Sequence, residues 1–245
     1  MSGNAIAGTL YGIGVGPGDP SLITVRAVEI LRGVDEVYTA STSTNEHSLA
    51  GNIASPYLRA GVGLKKLVFP MTKDPAKLEA AWRDNARQVA ATLDKGLSAA
   101  FLTLGDCLTY STYAYLLSHL LAIKPDAKVE SVPGITSYQL AAARLNRPLV
   151  QGSESLAVTG GSVDRGFEEL CRSADNLVIL KPYRGTSDVV DRLKAMGLAG
   201  RTAICSNLAL DGESIVDGLD RDYVEPEGYF SLLLINKRLG DKDGR

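Results

Sequence analysis

The segment Leu102–Thr112, LTLGDCLTYST, places one acidic side chain where α/β proteins bind ligands. An apolar strand pattern runs into Gly105 and Asp106, and a helical pattern follows. Ligands of open α/β sheets gather at the carboxyl ends of the strands. The Asp106 carboxylate could therefore hold a bound molecule. Aspartate is also a frequent helix cap, and at this point both interpretations stay open.

A second candidate is the glycine-rich segment Gly12–Pro20, GIGVGPGDP, between a strand and a helix. A dinucleotide fingerprint needs glycines at its first, third and sixth positions, but the sixth is Pro17 or Asp19 here. The second strand ends in Thr39-Ala40-Ser41, without a ribose-binding acid. The segment still offers a close backbone approach to a ligand and free amide groups, or it is simply a tight turn.

The remaining reactive residue types suggest structural roles. In VPGITS, Thr136 and Ser137 stand on a turn before a helix, where capping is the simple interpretation. His119 lies in an apolar helical pattern and is interpreted as a packed residue, while His47 lies in a polar stretch typical of a surface. No Gly-x-Ser-x-Gly elbow supports a hydrolase triad.

Composition narrows the classes of function. The 245 residues are 45% hydrophobic and 22% charged, which is ordinary globular composition. With 26 basic and 28 acidic residues and no long basic run, nucleic-acid binding is not expected. No stretch predicts a membrane span. The three cysteines, Cys107, Cys171 and Cys205, lack zinc-ligand spacing, so we expect no protein-bound metal and a reducing, cytoplasmic location.

Strands and helices alternate along the first half, which favours a mainly parallel sheet. The strands predicted there are Thr9 to Val15, Glu36 to Ala40, Lys65 to Phe69, Ser98 to Leu104 and Val129 to Val132. The helical segments are Ser21 to Arg32, Ser48 to Leu58, Pro75 to Lys95, Thr109 to Ile123 and Ser137 to Leu145. We place a domain boundary between residues 126 and 127, after a long helix and beside a proline.

The second half has a different pattern. Its predicted strands are Ser155 to Thr159, Asn176 to Leu180, Thr202 to Ser206 and Tyr229 to Ile235, and its helices are Phe167 to Arg172 and Ser187 to Met196. These elements predict a second α/β domain over residues 127–245.

Together and in this order, GIGVGPGDPSLITVRAVEIL, LTLGDCLTYST and VPGITS resemble the tetrapyrrole methylase family. Further stretches resemble its carbon-20 methyltransferases: SLAGNIASPYL, FPMTKD, PLVQGSESLAV and YFSLLLINKR. The resemblance implies a homodimer of chains with two α/β domains, a mainly parallel first sheet and a mixed second sheet, with the ligand cleft between the domains. It also implies methyl transfer from S-adenosylmethionine to a tetrapyrrole in cobalamin biosynthesis.

By the same resemblance, the methyl donor is contacted by residues from both halves. They are Pro17, Gly105, Asp106, Thr109, Thr136, Ser137, Leu180, Lys181, Leu208 and Phe230. Family members often carry Gly-Asp-Pro where this chain has Gly105, Asp106 and Cys107, so Cys107 is expected to fill the volume of that proline.

The substrate expected from the resemblance is cobalt-factor II, with metal-free precorrin-2 as the alternative. FPMT, the Gly-Asp turn without proline and the closing NKR favour the enzymes that act on the cobalt-bound ring. Any cobalt would then belong to the substrate. The carboxylates of this substrate would suit basic side chains as partners. The candidates are Lys73, Arg83, Lys181 and Arg184. Each of them is also typical of a solvated surface.

Three other classes remain open. A dinucleotide oxidoreductase is opposed by the glycine spacing, and a protein methylase of the diphthamide pathway by the stretches that resemble carbon-20 enzymes. A non-catalytic tetrapyrrole carrier would not need the intact GD and GITS turns. No catalytic base is identified. Its absence from the sequence pattern does not count against an enzyme, because the sulfonium itself activates the methyl group, and assistance by a base stays open.

Overall fold

The computed structural model describes residues 8–42, 48–161, 166–182, 186–219 and 230–237. Two compact units divide the chain, Met1–Thr136 and Ser137–Arg245. Within the described residues, each unit contains one five-stranded sheet with helices packed on it. The predicted α/β class, with a parallel first sheet and a mixed second sheet, is confirmed.

All strand pairs of the first sheet are parallel, in the order β3-β2-β4-β1-β5. Its strands are β1 (Thr9–Gly14), β2 (Glu36–Ser41), β3 (Leu64–Val68), β4 (Ala99–Thr103) and β5 (Lys128–Val132). The helices of this unit are α1 (Val25–Leu31), α2 (Leu49–Ala54), α3 (Pro75–Leu93) and α4 (Tyr113–Ile123). The central strands β1 and β4 are buried along their whole length, as expected of parallel strands covered on both faces.

Local chemistry explains where the helices begin. The Asp74 side chain accepts from the backbone N–H groups of Ala76 and Lys77, and Pro75 occupies the first turn of α3. The predicted helix from Ser21 to Arg32 is shorter than expected, because a 3-10 turn precedes Thr24, whose hydroxyl caps α1.

The second sheet has the order β6-β7-β10-β8-β9. Its strands are β6 (Leu156–Gly160), β7 (Asn176–Leu180), β8 (Thr202–Ser206), β9 (Ser214–Asp217) and β10 (Ser231–Asn236). The helices are α5 (Ser137–Leu145), α6 (Phe167–Ser173) and α7 (Thr186–Ala195). β6 and β7 are parallel, whereas β10 lies antiparallel to both β7 and β8. Strand β9 was not predicted, since its four residues are largely exposed and carry little hydrophobic pattern.

The division between the units falls later than the boundary expected at residues 126 and 127. Strand β5 pairs with β1 from Thr9–Lys128 to Ile13–Val132, so it belongs to the first sheet. Helix α5 is the first element of the second unit.

Each unit has its own apolar core. In the first unit, one cluster contains Tyr11, Ile30 and Ile53, and another contains Phe101, Tyr113 and Leu116. In the second unit, Leu177 and Leu233 belong to a single cluster. None of the helices in the described ranges combines the length and the apolar character that crossing a membrane requires.

Candidate functional site

Three strand ends of the first unit converge on three glycines. Strands β4, β1 and β5 are neighbours and parallel, so their carboxyl ends share one edge of the sheet. A Cβ atom on Gly134 would lie 2.2 Å from the Gly105 carbonyl oxygen and 2.7 Å from the Gly14 carbonyl. A Cβ on Gly14 would lie 2.6 Å from the same Gly105 oxygen. Only glycine permits this approach, so the three turns form one packed unit.

Two of the turns are also joined by hydrogen bonds. The Gly105 N–H donates to the Gly16 carbonyl at 2.7 Å, and the Gly16 N–H donates to the Gly105 carbonyl at 3.2 Å. Both residues have positive φ, +87° at Gly16 and +71° at Gly105, where side chains are disfavoured. The glycine-rich segment is therefore a turn fixed against the end of β4.

The Asp106 carboxylate connects the second turn to the third. Its Oδ1 accepts from the Leu108 N–H at 2.9 Å and from the Thr109 hydroxyl at 3.0 Å. Its Oδ2 accepts from the Gly134 N–H at 3.1 Å. Helix α4 begins only at Tyr113, so Asp106 does not cap it, and the capping interpretation of this residue is wrong.

The hydrogen bonds also set the charge of this carboxylate. Partial burial acts to raise the pKa of Asp106, but donation from Leu108, Gly134 and Thr109 outweighs it and leaves the pKa below its ordinary value of 3.8. The site thus presents a half-buried carboxylate that is ionised at neutral pH, which suits a hydroxyl donor or a cation.

Cys107, which follows it, is a buried thiol. Burial, and after it the charge of Asp106, raises the pKa of this thiol to about 11. The side chain is 1% exposed and its Sγ donates to the Val132 carbonyl at 3.4 Å. It packs as a small core residue, in agreement with the role expected for it.

The structure brings together the five residues of the first unit that are predicted to contact the methyl donor. Pro17 is buried directly after the Gly16 turn, and Thr109 is bound to Asp106 beside Gly105. Thr136, 8% exposed, lies where a Cβ on Gly105 would be 3.9 Å from its Cα. Ser137, the next residue along the chain, begins α5.

In the second unit, Leu180, Lys181, Leu208 and Phe230 gather at one edge of the mixed sheet. The Lys181 N–H donates to the Ser231 carbonyl at 2.9 Å. Lys181 has a φ of +55°, and the Phe230 carbonyl accepts from the residue before Leu208 at 2.8 Å. Leu180 and Leu208 are buried, at 9% and 5% exposure.

The other candidates occupy surface positions. Arg83 is exposed and pairs with Glu79 at 2.8 Å, and Lys73 is exposed. His119 is not enclosed in the core as expected: its Nε2 lies 3.0 Å from the Glu79 carboxylate and its Nδ1 lies 2.8 Å from the Tyr115 carbonyl. Arg184 and His47, also considered from the sequence, lie outside the described residues.

Two glycines were not singled out from the sequence. Gly134 donates to Asp106, and Gly161 lies so close to Lys181 that a Cβ there would be 2.0 Å from the Lys181 carbonyl oxygen. Both follow the end of a strand, and this position was the only feature of the sequence that could have indicated a role at the site. Their partners are remote in the sequence, so spacing alone could not identify the contacts.

No three His, Cys, Asp or Glu residues within the described ranges come together as a metal-binding group. All three cysteines are buried and free.

Comparison with known proteins identifies the family to which this chain belongs. Residues 9–221 match the family model described as Tetrapyrrole (Corrin/Porphyrin) Methylases. The cobalt-precorrin-2 C(20)-methyltransferase of Salmonella typhimurium is 34% identical over 233 residues, covering 94% of this chain and 97% of that enzyme. The cobalamin biosynthesis protein CobIJ of Mycobacterium tuberculosis is 35% identical over 239 residues, 93% of this chain. The chain spans about half the length of CobIJ, 46%.

The fold has solved counterparts. The uroporphyrin-III C-methyltransferase of Thermus thermophilus, solved in complex with S-adenosylhomocysteine, superposes with a TM-score of 0.62. The sequence identity is 20%, and the match covers 94% of this chain and 98% of that one. At this identity the likeness concerns the fold.

Proposed function

Since the chain belongs to the tetrapyrrole methylase family, we propose that it transfers a methyl group from S-adenosylmethionine to carbon 20 of cobalt-factor II in corrin biosynthesis. Its enzyme class is then a C-methyltransferase. The observation that carries this proposal is the near full-length similarity to the Salmonella enzyme, whose name gives cobalt-precorrin-2 as the substrate.

The geometry of the first unit supports a donor site at the Asp106 turn. An ionised, half-buried carboxylate stands beside glycine turns whose backbone permits close approach. Such a set fits a donor that carries ribose hydroxyls, an ammonium group and a sulfonium cation. Pro17, Thr109 and Thr136 surround the same turns, and Ser137 follows them in the chain. Leu180, Lys181, Leu208 and Phe230 are the contacts proposed from the second unit.

The residues have a positioning task. The sulfonium of the donor supplies an activated methyl group, so the protein needs no strong base to begin the reaction. Asp106 and the turns it connects hold a fixed geometry, which is what an in-line displacement requires. Alignment of this kind contributes roughly 7–11 kcal/mol in well-oriented intramolecular reactions.

Metal-free precorrin-2 is the alternative substrate. The stretches FPMT and NKR and the Gly-Asp turn without proline favour the cobalt-bound ring. The basic candidates for the substrate carboxylates are Lys73, Arg83, Lys181 and Arg184. A dinucleotide oxidoreductase has no support from the family match.

We further propose that the enzyme is a homodimer without a resident metal, as the resemblance implies. Light scattering coupled to size-exclusion chromatography measures the first property, and elemental analysis of the purified protein measures the second.

Calorimetry of two aspartate variants tests the donor site. The wild-type protein is expected to bind S-adenosylhomocysteine in the micromolar range and not to bind NAD. Asp106→Ala should weaken the affinity for S-adenosylhomocysteine by about tenfold or more, since about 1.4 kcal/mol of binding free energy corresponds to tenfold.

The matched control is Asp74→Ala, which removes an aspartate that caps α3 and lies 3.8 Å from the Lys77 ammonium. It should cost about 1 kcal/mol of stability and leave donor affinity unchanged. Tight NAD binding without a response to S-adenosylhomocysteine would refute the proposed function. Equal donor affinity in both variants would remove Asp106 from the site.

A further inference from the structure

The loop between Asp106 and helix α4 exposes two large apolar side chains. Leu108 is 56% exposed and Tyr110 is 55% exposed, although each flanks Thr109, whose hydroxyl is bound to Asp106. Exposed apolar groups next to a ligand site mark a binding surface more often than isolated ones do. The loop therefore holds the Thr109 hydroxyl against Asp106 and exposes the apolar side chains of Leu108 and Tyr110 beside it.

Hydrogen bonds on both sides of Tyr110 hold the loop in place. On one side of Tyr110, Asp106 accepts from the Leu108 N–H and the Thr109 hydroxyl. On the other side, the Ser111 hydroxyl accepts from the Tyr113 N–H at 3.0 Å. Between these anchors Tyr110 has a φ of +50°, in the left-handed region that a bulky aromatic residue rarely adopts. Strain of this kind concentrates at functional sites.

We propose that Leu108 and Tyr110 form the surface on which the tetrapyrrole ring rests during methyl transfer. The inference rests on the proposed function and specifies how the same site recognises its acceptor. A tetrapyrrole is a broad conjugated ring with carboxylates at its rim, so its faces need apolar and aromatic contacts. An aromatic side chain beside the donor turn supplies such a face. These residues determine acceptor affinity and leave donor binding to Asp106 and the glycine turns.

The test uses Tyr110→Gly, Tyr110→Phe and Leu108→Ser in the full chain. Glycine accepts the positive φ without strain, so Tyr110→Gly should fold as well as the wild type while lacking the aromatic ring. Phenylalanine keeps the ring and should behave like tyrosine. The control for acceptor binding is Tyr115→Ala, which removes a tyrosine that is 48% exposed on α4 and stacks on Trp82.

The measurements are absorbance titration with cobalt-factor II, the KM and kcat of methylation, and calorimetry with S-adenosylhomocysteine. Tyr110→Gly should raise both the Kd and the KM for cobalt-factor II about tenfold, the size expected for loss of an aromatic contact and its buried area. Its Kd for S-adenosylhomocysteine should stay within about twofold of the wild-type value, which calorimetry resolves. Leu108→Ser should act in the same direction, whereas Tyr110→Phe and Tyr115→Ala should match the wild type.

Unchanged acceptor affinity in Tyr110→Gly, with an active wild type, would overturn this inference and leave the proposed function intact. A shift in oligomeric state in that variant, measured by light scattering, would also overturn it by assigning the surface to a second copy of the chain. A wild type that methylates neither cobalt-factor II nor precorrin-2 would overturn both the proposed function and the inference.

Discussion

Glycines at the ends of parallel strands have a packing role here that their sequence spacing does not reveal. Gly14, Gly105 and Gly134 lie so close that no side chain fits at the first or the third. Asp106 then fixes the arrangement by accepting from the Gly134 N–H. The position of this carboxylate depends on backbone packing as much as on its own turn.

Gly134→Ala tests this dependence. The added Cβ would meet the Gly105 carbonyl oxygen at 2.2 Å, so backbone must shift. We expect a loss of about 1–3 kcal/mol in the free energy of unfolding, as for overpacked interiors, and weaker donor binding. Denaturant unfolding and calorimetry measure the two effects.

Gly63→Ala is the matched control, because a Cβ there would meet nothing within 4 Å. It should leave both quantities near their wild-type values. If the two variants proved equally stable, the close packing of the three turns would not be a constraint.

At the scale of elements, the contact between α3 and α4 combines an aromatic stack with an ionisable pair. Trp82 and Tyr115 stack with centroids 4.4 Å apart and an interplanar angle of 7°. Beside them, His119 donates to Glu79 and lies against the Tyr115 carbonyl. Both partners of the imidazole are acceptors, so the doubly protonated ring satisfies both at once.

This pair predicts a pH-dependent contribution to stability. The hydrogen bond to Glu79 chiefly raises the pKa of His119 above its ordinary 6.5, against the effects of burial and of Arg83. His119, followed by Arg83, lowers the pKa of Glu79 below 4.5. A raised histidine pKa stabilises the fold below 6.5, and this stability is lost as pH rises through the folded pKa. The glutamate contribution is lost at the acid end, as pH falls through its lowered pKa.

His119→Gln should therefore lower thermal stability relative to the wild type more at about pH 5.5 than at about pH 8.5. Thermal unfolding at the two pH values measures the difference. Lys124→Gln is the control, because the Lys124 ammonium pairs with Asp94 and keeps its charge across this range, so its effect should be nearly flat. A His119→Gln effect of the same size at both pH values would show that the ion pair contributes nothing.

Most elements were predictable because their signals are local. Strands β7 and β8 begin and end at the predicted residues, since their apolar runs are bounded by polar groups. The start of α4 was not predictable in this way: helical spacing begins at Thr109, but Asp106 holds that residue in a turn. The bond from Gly134 to Asp106 spans 28 positions, and no local pattern encodes it.

The site residues likewise divide into those that a local pattern indicates and those that depend on the fold. Asp106 could be selected because it follows a predicted strand. That it does not cap α4 could be seen only in the folded structure. The second-unit residues predicted to contact the methyl donor were proposed from the resemblance. Only the hydrogen bonds of Lys181 and Phe230 indicate that they lie at one edge of the sheet.

At the scale of the whole molecule, the match covers 97% of the Salmonella cobalt-precorrin-2 C(20)-methyltransferase but 46% of CobIJ. We expect faster methylation of cobalt-factor II than of precorrin-2. Bound cobalt changes the charge and planarity of the ring, so one site will not align both acceptors equally well. Anaerobic rates with the two acceptors at equal concentration measure the preference. Equal or faster turnover of precorrin-2 would contradict the preference for the cobalt-bound ring and leave the reaction class standing.

The most direct test of the account is the position of the transferred methyl group. The purified protein is incubated anaerobically with cobalt-factor II and S-adenosylmethionine carrying a ¹³C-labelled methyl group, and the product is analysed by mass spectrometry and NMR. We predict one added methyl group, bonded to carbon 20, and a weaker signal in Asp106→Ala at a limiting concentration of S-adenosylmethionine. A label on another ring carbon, or no transfer to either the cobalt-bound or the metal-free ring, would contradict it.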